Sequence, residues 1–385
     1  MKIVFAGGGT GGHFYPLIAV AEAVHRVASE NRLIEPQLYY LAPEPYDADV
    51  LYSNNIAFVR VPAGKLRRYF SLKNVTDVFV TLGGLVRAFF ILFRIYPDVV
   101  FSRSGFASVP VVLAARLLGI PVVVHESDSK PARATLLTAK FAKRIAVSYE
   151  SSIQYFPAKV RDKIARTGIP VLEKVAMPLV EGAQQELGLD PAAPTVFILG
   201  GSSGSQRINE IVLEALSEMT AFANVIHQTG KANFDEVSKR AKVILEGGGV
   251  ASRYHAFPFL NAESMRRAAG AAHVVVSRAG STSITEISLW RRPAVLIPIP
   301  ESISHDQRTN AYAYARTGAA TVLEEENMTP HILLSEIKRL ADPAVSKVMS
   351  AAAEGFANPN AARLIAEELY RIGLSHDVTP GARAS

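Results

Sequence analysis

Apolar residues fall in short blocks along this chain, and the blocks change period. Lys2-Ile3-Val4-Phe5-Ala6 is an apolar run with β-branched members, which predicts a buried strand. Glycines follow, and then an apolar segment of helical period from Leu17 to Val27. The order repeats. Strands are predicted at 37–41 and, from its alternation, at 56–61. A long apolar segment, 75–96, ends before Pro97; a strand follows at 98–101, a helix at 109–118, and strands at 121–125 and 143–148. Repeated strand–loop–helix units predict a parallel, doubly wound sheet whose ligands lie beyond the carboxyl ends of its strands. His13, Arg103, Phe106, His125 and Glu126 fall on that edge.

The pattern restarts after Gly168-Ile169-Pro170. Residues 173–194 are irregular, with three prolines; Thr195–Leu199 then opens a new strand, followed by Gly200 to Arg207 and a helix. The predicted fold class is α/β: two Rossmann-like, doubly wound domains facing each other across a cleft. The first covers 1–168 and the second 169–373, with the last helices packing back on the first domain. A polar tail, 374–385, is expected to be disordered.

Segment 75–96 carries two apolar stripes at helical spacing. One is Val78, Leu82, Leu85, Phe89 and Leu92; the other is Phe79, Val86, Phe90 and Phe93. One stripe can face a core, and the second needs another partner. The length allows a membrane span, but Gly83, Gly84, Arg87 and Arg94 argue against one. An interfacial patch, a helical hairpin broken at Gly83-Gly84 and a dimer contact all satisfy the pattern.

Composition narrows the chemistry. The 385 residues exceed one core and suit two domains. The chain has no cysteine, which excludes disulfides, thiolate metal sites and a cysteine nucleophile, and fits a reducing compartment. Lys2 leads at once into a strand, without a signal-peptide pattern. Net charge is +6, unevenly placed: 21 of the 41 Lys and Arg but 12 of the 35 Asp and Glu fall in residues 1–168. A basic first half suggests an anionic partner. No nucleic-acid module accompanies it, so an anionic membrane surface and a phosphorylated substrate are expected rather than nucleic acid.

Five glycines with Thr10 lie between Gly7 and Gly12. A strand, a glycine turn and a helix place N–H groups against an anion. Gly7, Gly9 and Gly12 also satisfy the dinucleotide fingerprint, which wants an acid at the end of the second strand; the first acid there is Glu44, between two prolines. A nicotinamide enzyme, or a turn that serves packing alone, stays open on this evidence. Asp47-Ala48-Asp49 matches the D-x-D of metal-dependent transferases but reads as a solvated turn, so no metal site is expected. In the second half Val274 to Glu286 reads VVVSRAGSTSITE, a strand, a small-residue turn and a helix from about Ser283. Its N–H groups suit a diphosphate, and Glu286, in the first turn, suits a ribose diol. Ser281 to Thr285 could instead simply cap the helix, with Glu286 in a capping box.

The string GGTGGHFYP, Gly8 to Pro16, resembles the signature of the MurG family, N-acetylglucosaminyltransferases that convert lipid I to lipid II in bacterial cell-wall synthesis. The resemblance covers most of the chain. It implies a GT-B fold and a metal-independent, cofactor-free, inverting transfer from UDP-GlcNAc to a polyprenyl-diphosphate-linked muramyl peptide, at the cytoplasmic face of the inner membrane. In the second half it implies donor contacts from Ser202 of the GGS loop, Leu260 against uracil, the turn Ser281, Thr282, Ser283, Ile284 and Thr285 at the diphosphate, and Glu286 on the ribose. Asp306, Gln307 and Asn310 would hold the donor sugar. In the first half it implies acceptor contacts from Thr10, Gly11, Gly12, Ser104, Gly105 and Phe106, and substrate contacts from His125 and Asp128. His13 is the first candidate for the general base and Glu126 the second. The family's H-E-Q-N is His125-Glu126-Ser127-Asp128 here, its linker arginine is Leu172, and a tyrosine is Phe106. These departures leave room for a related enzyme acting on another lipid, such as diacylglycerol, or for a binder without transfer activity.

Overall fold

The computed structural model describes residues 1–8, 10–64, 73–103, 105–201, 203–302 and 305–375. The chain forms two compact units, Met1–Pro170 with Asn360–Ser385, and Val171–Pro359. The expected tail lies, from residue 376, outside the described residues.

The first unit holds a seven-stranded parallel sheet. Its strands are β1 (Lys2–Ala6), β2 (Gln37–Ala42), β3 (Ile56–Arg60), β4 (Val99–Arg103), β5 (Val122–Glu126), β6 (Arg144–Val147) and β7 (Ile164–Arg166), in the order 3-2-1-4-5-6-7. Helices cover both faces, so the central strands read as unbroken apolar runs. Ile3, Val4 and Phe5 are wholly buried, each worth roughly 1.5–3 kcal/mol. The strand order reverses between β1 and β4, so the loops after these two strands diverge and leave a crevice at their carboxyl ends. Helix α1 (Gly11–Glu30) leaves that crevice.

Segment 75–96 is one helix, α2 (Lys73–Ile95), unbroken at Gly83-Gly84. A Cβ on Gly84 would overlap the Pro62 carbonyl oxygen, so that glycine serves close packing and not a turn. Ala88 and Leu92 are buried, with Leu85 and Phe89 packed against the same core. Phe79, Val86, Phe90 and Phe93 are exposed, and Val78 and Leu82, expected on the core stripe, are exposed with them. Helical phase explains the shift: the buried ridge follows Gly84, Ala88 and Leu92, where the backbone approaches most closely.

The second unit repeats the plan with six parallel strands: β8 (Thr195–Leu199), β9 (Asn224–Gln228), β10 (Tyr254–Phe257), β11 (Val274–Arg278), β12 (Ala294–Ile297) and β13 (Ala320–Val322), ordered 10-9-8-11-12-13. The reversal falls between β8 and β11. It therefore brings the GGSSGS loop and the Arg278-Ala279-Gly280 turn together. Helices α3 (Gln206–Phe222), α4 (Ser281–Trp290) and α5 (His305–Ala315) start near this edge. The last helix, α6 (Ala361–Leu374), belongs to the first unit and packs on α1: Tyr370 donates to the Val24 carbonyl at 3.2 Å, and Arg363 pairs with Glu30 at 2.8 Å.

Candidate active site

In the first unit, β1 runs into its glycine loop because nothing larger fits. A Cβ on Gly7 would lie 2.9 Å from the Arg103 carbonyl oxygen at the end of β4. Thr10 is the N-cap of α1, but its side chain does not cap. Its hydroxyl lies 3.0 Å from Nδ1 of His13 instead. When Nδ1–H donates to that oxygen, the Nε2 lone pair is available to accept a proton. Gly105, at a left-handed φ of 107°, backs the same ring: a Cβ there would lie 3.7 Å from Nε2. Burial and the Arg103 charge push the His13 pKa down to about 4, with Asp128 pulling it up. The imidazole is therefore neutral at physiological pH.

Pro16 lies inside α1 and has no amide hydrogen, so it cannot give the Gly12 carbonyl the usual helical bond from four residues on. The buried Arg103 guanidinium fills the gap, donating from Nη2 to Gly12 O at 2.7 Å. Its Nη1 donates to Nδ1 of His125 at 3.2 Å, and His125 Nε2–H donates to the Gly168 carbonyl at 2.9 Å. Both nitrogens of His125 are thus used within the protein. The ring is wholly buried, and its pKa is pushed down to about 3 by burial and then by Arg103. Expected to touch substrate, His125 is a strut between β4 and Gly168.

Glu126, the second candidate base, also points inward. It is wholly buried, and its two oxygens accept from the amides of Asp128 at 3.0 Å and Ala132 at 3.1 Å. Burial and the adjacent Asp128 charge push its pKa up to about 7. Both oxygens are thus engaged by the loop after β5, which Glu126 shapes. Asp128 is half-buried and acts on His13, Arg103 and Glu126 through its charge. Thr10 and Gly12 are exposed at the loop and Gly11 is buried behind it, while Phe106 opens a short 3-10 turn beside Gly105. Ser104 lies outside the described residues.

In the second unit Ser205 caps α3, and its hydroxyl also accepts from Arg278 Nη2 at 2.7 Å. Arg278 closes β11. It donates to the carbonyls of Ile297 at 3.3 Å and Pro298 at 3.4 Å and pairs with Glu325 at 2.5 Å, so one guanidinium ties the glycine loop to the end of β12. Gln228, the last residue of β9, does similar work: its amide donates to Gly201 O at 3.0 Å and accepts from Leu260 N at 3.1 Å. Ser202 lies outside the described residues.

Helix α4 begins at Ser281, capped by Gly280 without a side-chain bond. The capping-box alternative therefore fails, and Glu286 stands in the second turn rather than the first. Among the described residues its half-buried carboxyl has no hydrogen-bond or ion-pair partner, and burial pushes its pKa up to about 8. Ser281, Thr282 and Ser283 form the first turn, whose amides lie outside the hydrogen-bond ladder of the helix itself. Ile284 is wholly buried in the core, and the Thr285 hydroxyl is turned back to Ser281 O at 2.9 Å. Leu260 is buried too, so only its backbone can face a ligand; Asn310 is wholly buried in α5. Gln307 accepts from Ile299 N at 3.2 Å, and Asp306 is half-buried in the first turn of α5. Asp47, read as a solvated turn, caps a short helix, accepting from Val50 N at 3.1 Å.

Arg103, Arg278 and Gln228 are the polar residues that hold these loops, and their roles were not assigned from sequence. The available signal was a charged or amide side chain closing an otherwise apolar strand.

Comparison with known proteins matches residues 3–147 to the glycosyltransferase family 28 N-terminal domain and 195–369 to its C-terminal domain. The chain is 37% identical over 372 residues to a protein of Treponema pallidum (strain Nichols), covering 95% of this chain and 94% of that one. A Treponema denticola protein is 35% identical over 349 residues, covering 88% of each chain. Both bear the name UDP-N-acetylglucosamine--N-acetylmuramyl-(pentapeptide) pyrophosphoryl-undecaprenol N-acetylglucosamine transferase. Among solved structures, Acinetobacter baumannii MurG aligns with a TM-score of 0.70 at 24% identity, covering 96% of this chain and 99% of that one. A putative UDP-N-acetylglucosamine 2-epimerase from Listeria monocytogenes aligns with a TM-score of 0.71 at 14% identity, covering 98% and 97%. At these identities the two structures speak for the GT-B fold alone.

Proposed function

The chain belongs to the MurG family of glycosyltransferases, and we propose that it transfers GlcNAc from UDP-GlcNAc to the C4 hydroxyl of the muramyl sugar on lipid I, giving lipid II for peptidoglycan synthesis. The observation that carries the donor reading is Glu286. It is a half-buried carboxyl without a partner among the described residues, on a helix whose first turn suits a diphosphate. A ribose diol offers the two donors such a carboxylate lacks. Ser281 to Ser283 would receive the diphosphate, the Leu260 backbone the uracil edge, and Asp306 with Gln307 the sugar hydroxyls.

His13 is the general base in this reading, since it is neutral at physiological pH and holds Nε2 apart from its bond to Thr10. As the C4 oxygen attacks C1 of GlcNAc, its proton passes to Nε2. The C1–oxygen bond to the diphosphate breaks, UDP leaves with the electron pair, and C1 is inverted. Amides at the start of α4 stabilise the charge that grows on the leaving group. The family assignment favours a sugar transferase over the nicotinamide enzyme that the first glycine loop also allowed.

The lipid acceptor accounts for α2. Its exposed face of Phe79, Val86, Phe90 and Phe93 with Arg94 fits insertion at the interface of an anionic bilayer. By length and composition 76–95 could span a membrane, but its buried ridge binds it to the first unit. The protein would work as a peripheral enzyme on the cytoplasmic face. The decisive test is calorimetry with UDP-GlcNAc. The wild type should bind it, and Glu286→Ala should lose roughly 1.5–3 kcal/mol, the range for a hydrogen bond to a charged group. Equal affinity in the two proteins would remove Glu286 from the ribose.

A further inference from the structure

Arg103 is a wholly buried cation beside the loop that carries His13, and transfer chemistry leaves it without a task. Its position follows from the chain. Pro16 deprives the first turn of α1 of one hydrogen bond, at the Gly12 carbonyl, and Arg103 Nη2 supplies that bond at 2.7 Å. His13 is the next residue after Gly12, so the ring stands on the peptide that Arg103 holds. The second nitrogen of the fork is fixed by His125 at 3.2 Å. The guanidinium therefore has little freedom to swing away.

We propose that Arg103 is a positioning residue for the transfer step, which fixes the first turn of α1, and with it His13, by donating to the Gly12 carbonyl, to which Pro16 has no amide hydrogen to give. The proposal rests on His13 being the base. Asp128, on the loop after β5, faces both His13 and Arg103, and Glu126 from β5 faces Arg103. Asp128 stands where the family pattern has an asparagine, so this departure places a carboxylate beside a buried guanidinium. Arg103 also lowers the affinity of His13 for a proton, and Asp128 opposes it. The arrangement keeps a neutral imidazole at a fixed angle without spending the Nε2 lone pair on an internal bond.

The test uses the full chain and reads His13 directly. Ring signals from isotope-labelled histidine, assigned by their loss in His13→Ala, give its titration. In Arg103→Gln the midpoint should climb from about 4 toward the ordinary 6.5, and the acid limb of kcat should climb with it. The kcat itself should fall by roughly 10²-fold, the scale for a misplaced catalytic group, with KM for UDP-GlcNAc nearly unchanged. Pro16→Ala gives Gly12 a helical amide, so Arg103→Gln should cost less in that background than in the wild type. Arg103→Lys keeps the charge but cannot hold Gly12 and His125 in one fork. There the titration should stay low while kcat falls, which also covers the case of Arg103→Gln failing to fold. An unmoved His13 titration in Arg103→Gln, or fully additive costs with Pro16→Ala, would overturn the proposal. Wild-type kcat in His13→Ala would instead overturn the base assignment beneath it.

Discussion

At the scale of the residue, Glu286 shows how a site announces itself through what its side chain lacks. A carboxyl pushed up to about 8 is mostly protonated at pH 7. Ribose hydroxyls donate hydrogen bonds and so favour the ionised form. Binding UDP-GlcNAc must then release a proton, and the sign follows: the complex holds fewer protons than the free protein, so affinity rises with pH. The rise should approach tenfold per unit below the pKa and flatten above about 8. The diphosphate diester of the donor does not titrate in this window, so Glu286→Gln should flatten the slope. Calorimetry from pH 6.5 to 8.5 in two buffers of different ionisation enthalpy would read both effects; a steep slope kept in Glu286→Gln would assign the proton elsewhere. The sequence motif led to Glu286, but it could not tell which neighbours face inward. Ile284, Leu260, His125 and Asn310 sit within motifs and are buried, and a string of letters carries no sense of side at a strand end, in a loop or in the first turns of a helix. The letters placed Arg103 on the ligand edge but not its burial, because a basic residue ending a strand reads equally well as a solvated one.

At the scale of the element, α2 shows which part of an amphipathic pattern can be read. Two apolar stripes are visible in the letters, and that one of them must leave the core follows from geometry. Which one does is decided by Gly84 and Ala88, whose small side chains let the backbone approach Pro62 and the helix Val109–Leu117. Four strands of the second sheet, β9, β10, β12 and β13, were passed over: β9 and β10 carry polar residues within the run, and β12 and β13 are only four and three residues long. The prediction for α2 is specific. Phe90 and Phe93 are 65% and 64% exposed, so replacing both with Ser should leave thermal unfolding unchanged. Each ring that enters the acyl boundary is worth roughly 1.5–3 kcal/mol. Co-sedimentation with anionic vesicles should therefore drop by tenfold or more, and high salt should release the wild type, since basic residues at the surface are screened. No preference for anionic over neutral vesicles, or collapse of the unfolding transition, would defeat this reading of α2.

At the scale of the whole molecule, the chain order and the division into units part company. Repeating strand–loop–helix blocks made two parallel sheets legible from the sequence, since parallel strands buried on both faces read as plain apolar runs. The pairing of α6 with the first unit, expected for the last helices, rests on surface matching rather than on any local pattern. Ile365, Ala366 and Leu369 are buried there, Tyr370 reaches the Val24 carbonyl, and Glu368 pairs with Arg144 at 3.0 Å. The bonds to Val24 and Glu30 hold α6 on α1, the helix whose first turn carries His13. Deleting residues 360–385 should uncover the apolar surface under α6 and lower the stability of the first unit by several kcal/mol, at roughly 25 cal/mol per Å² of apolar surface exposed. Amide exchange should quicken in β1 and α1. Trp290, the single tryptophan of the chain, is buried in the second unit and reports on that unit alone. Its fluorescence transition should hold its midpoint while exchange in β1 and α1 rises. If protection in β1 and α1 survived the deletion, α6 would be an ornament on the surface of the first unit rather than part of its core.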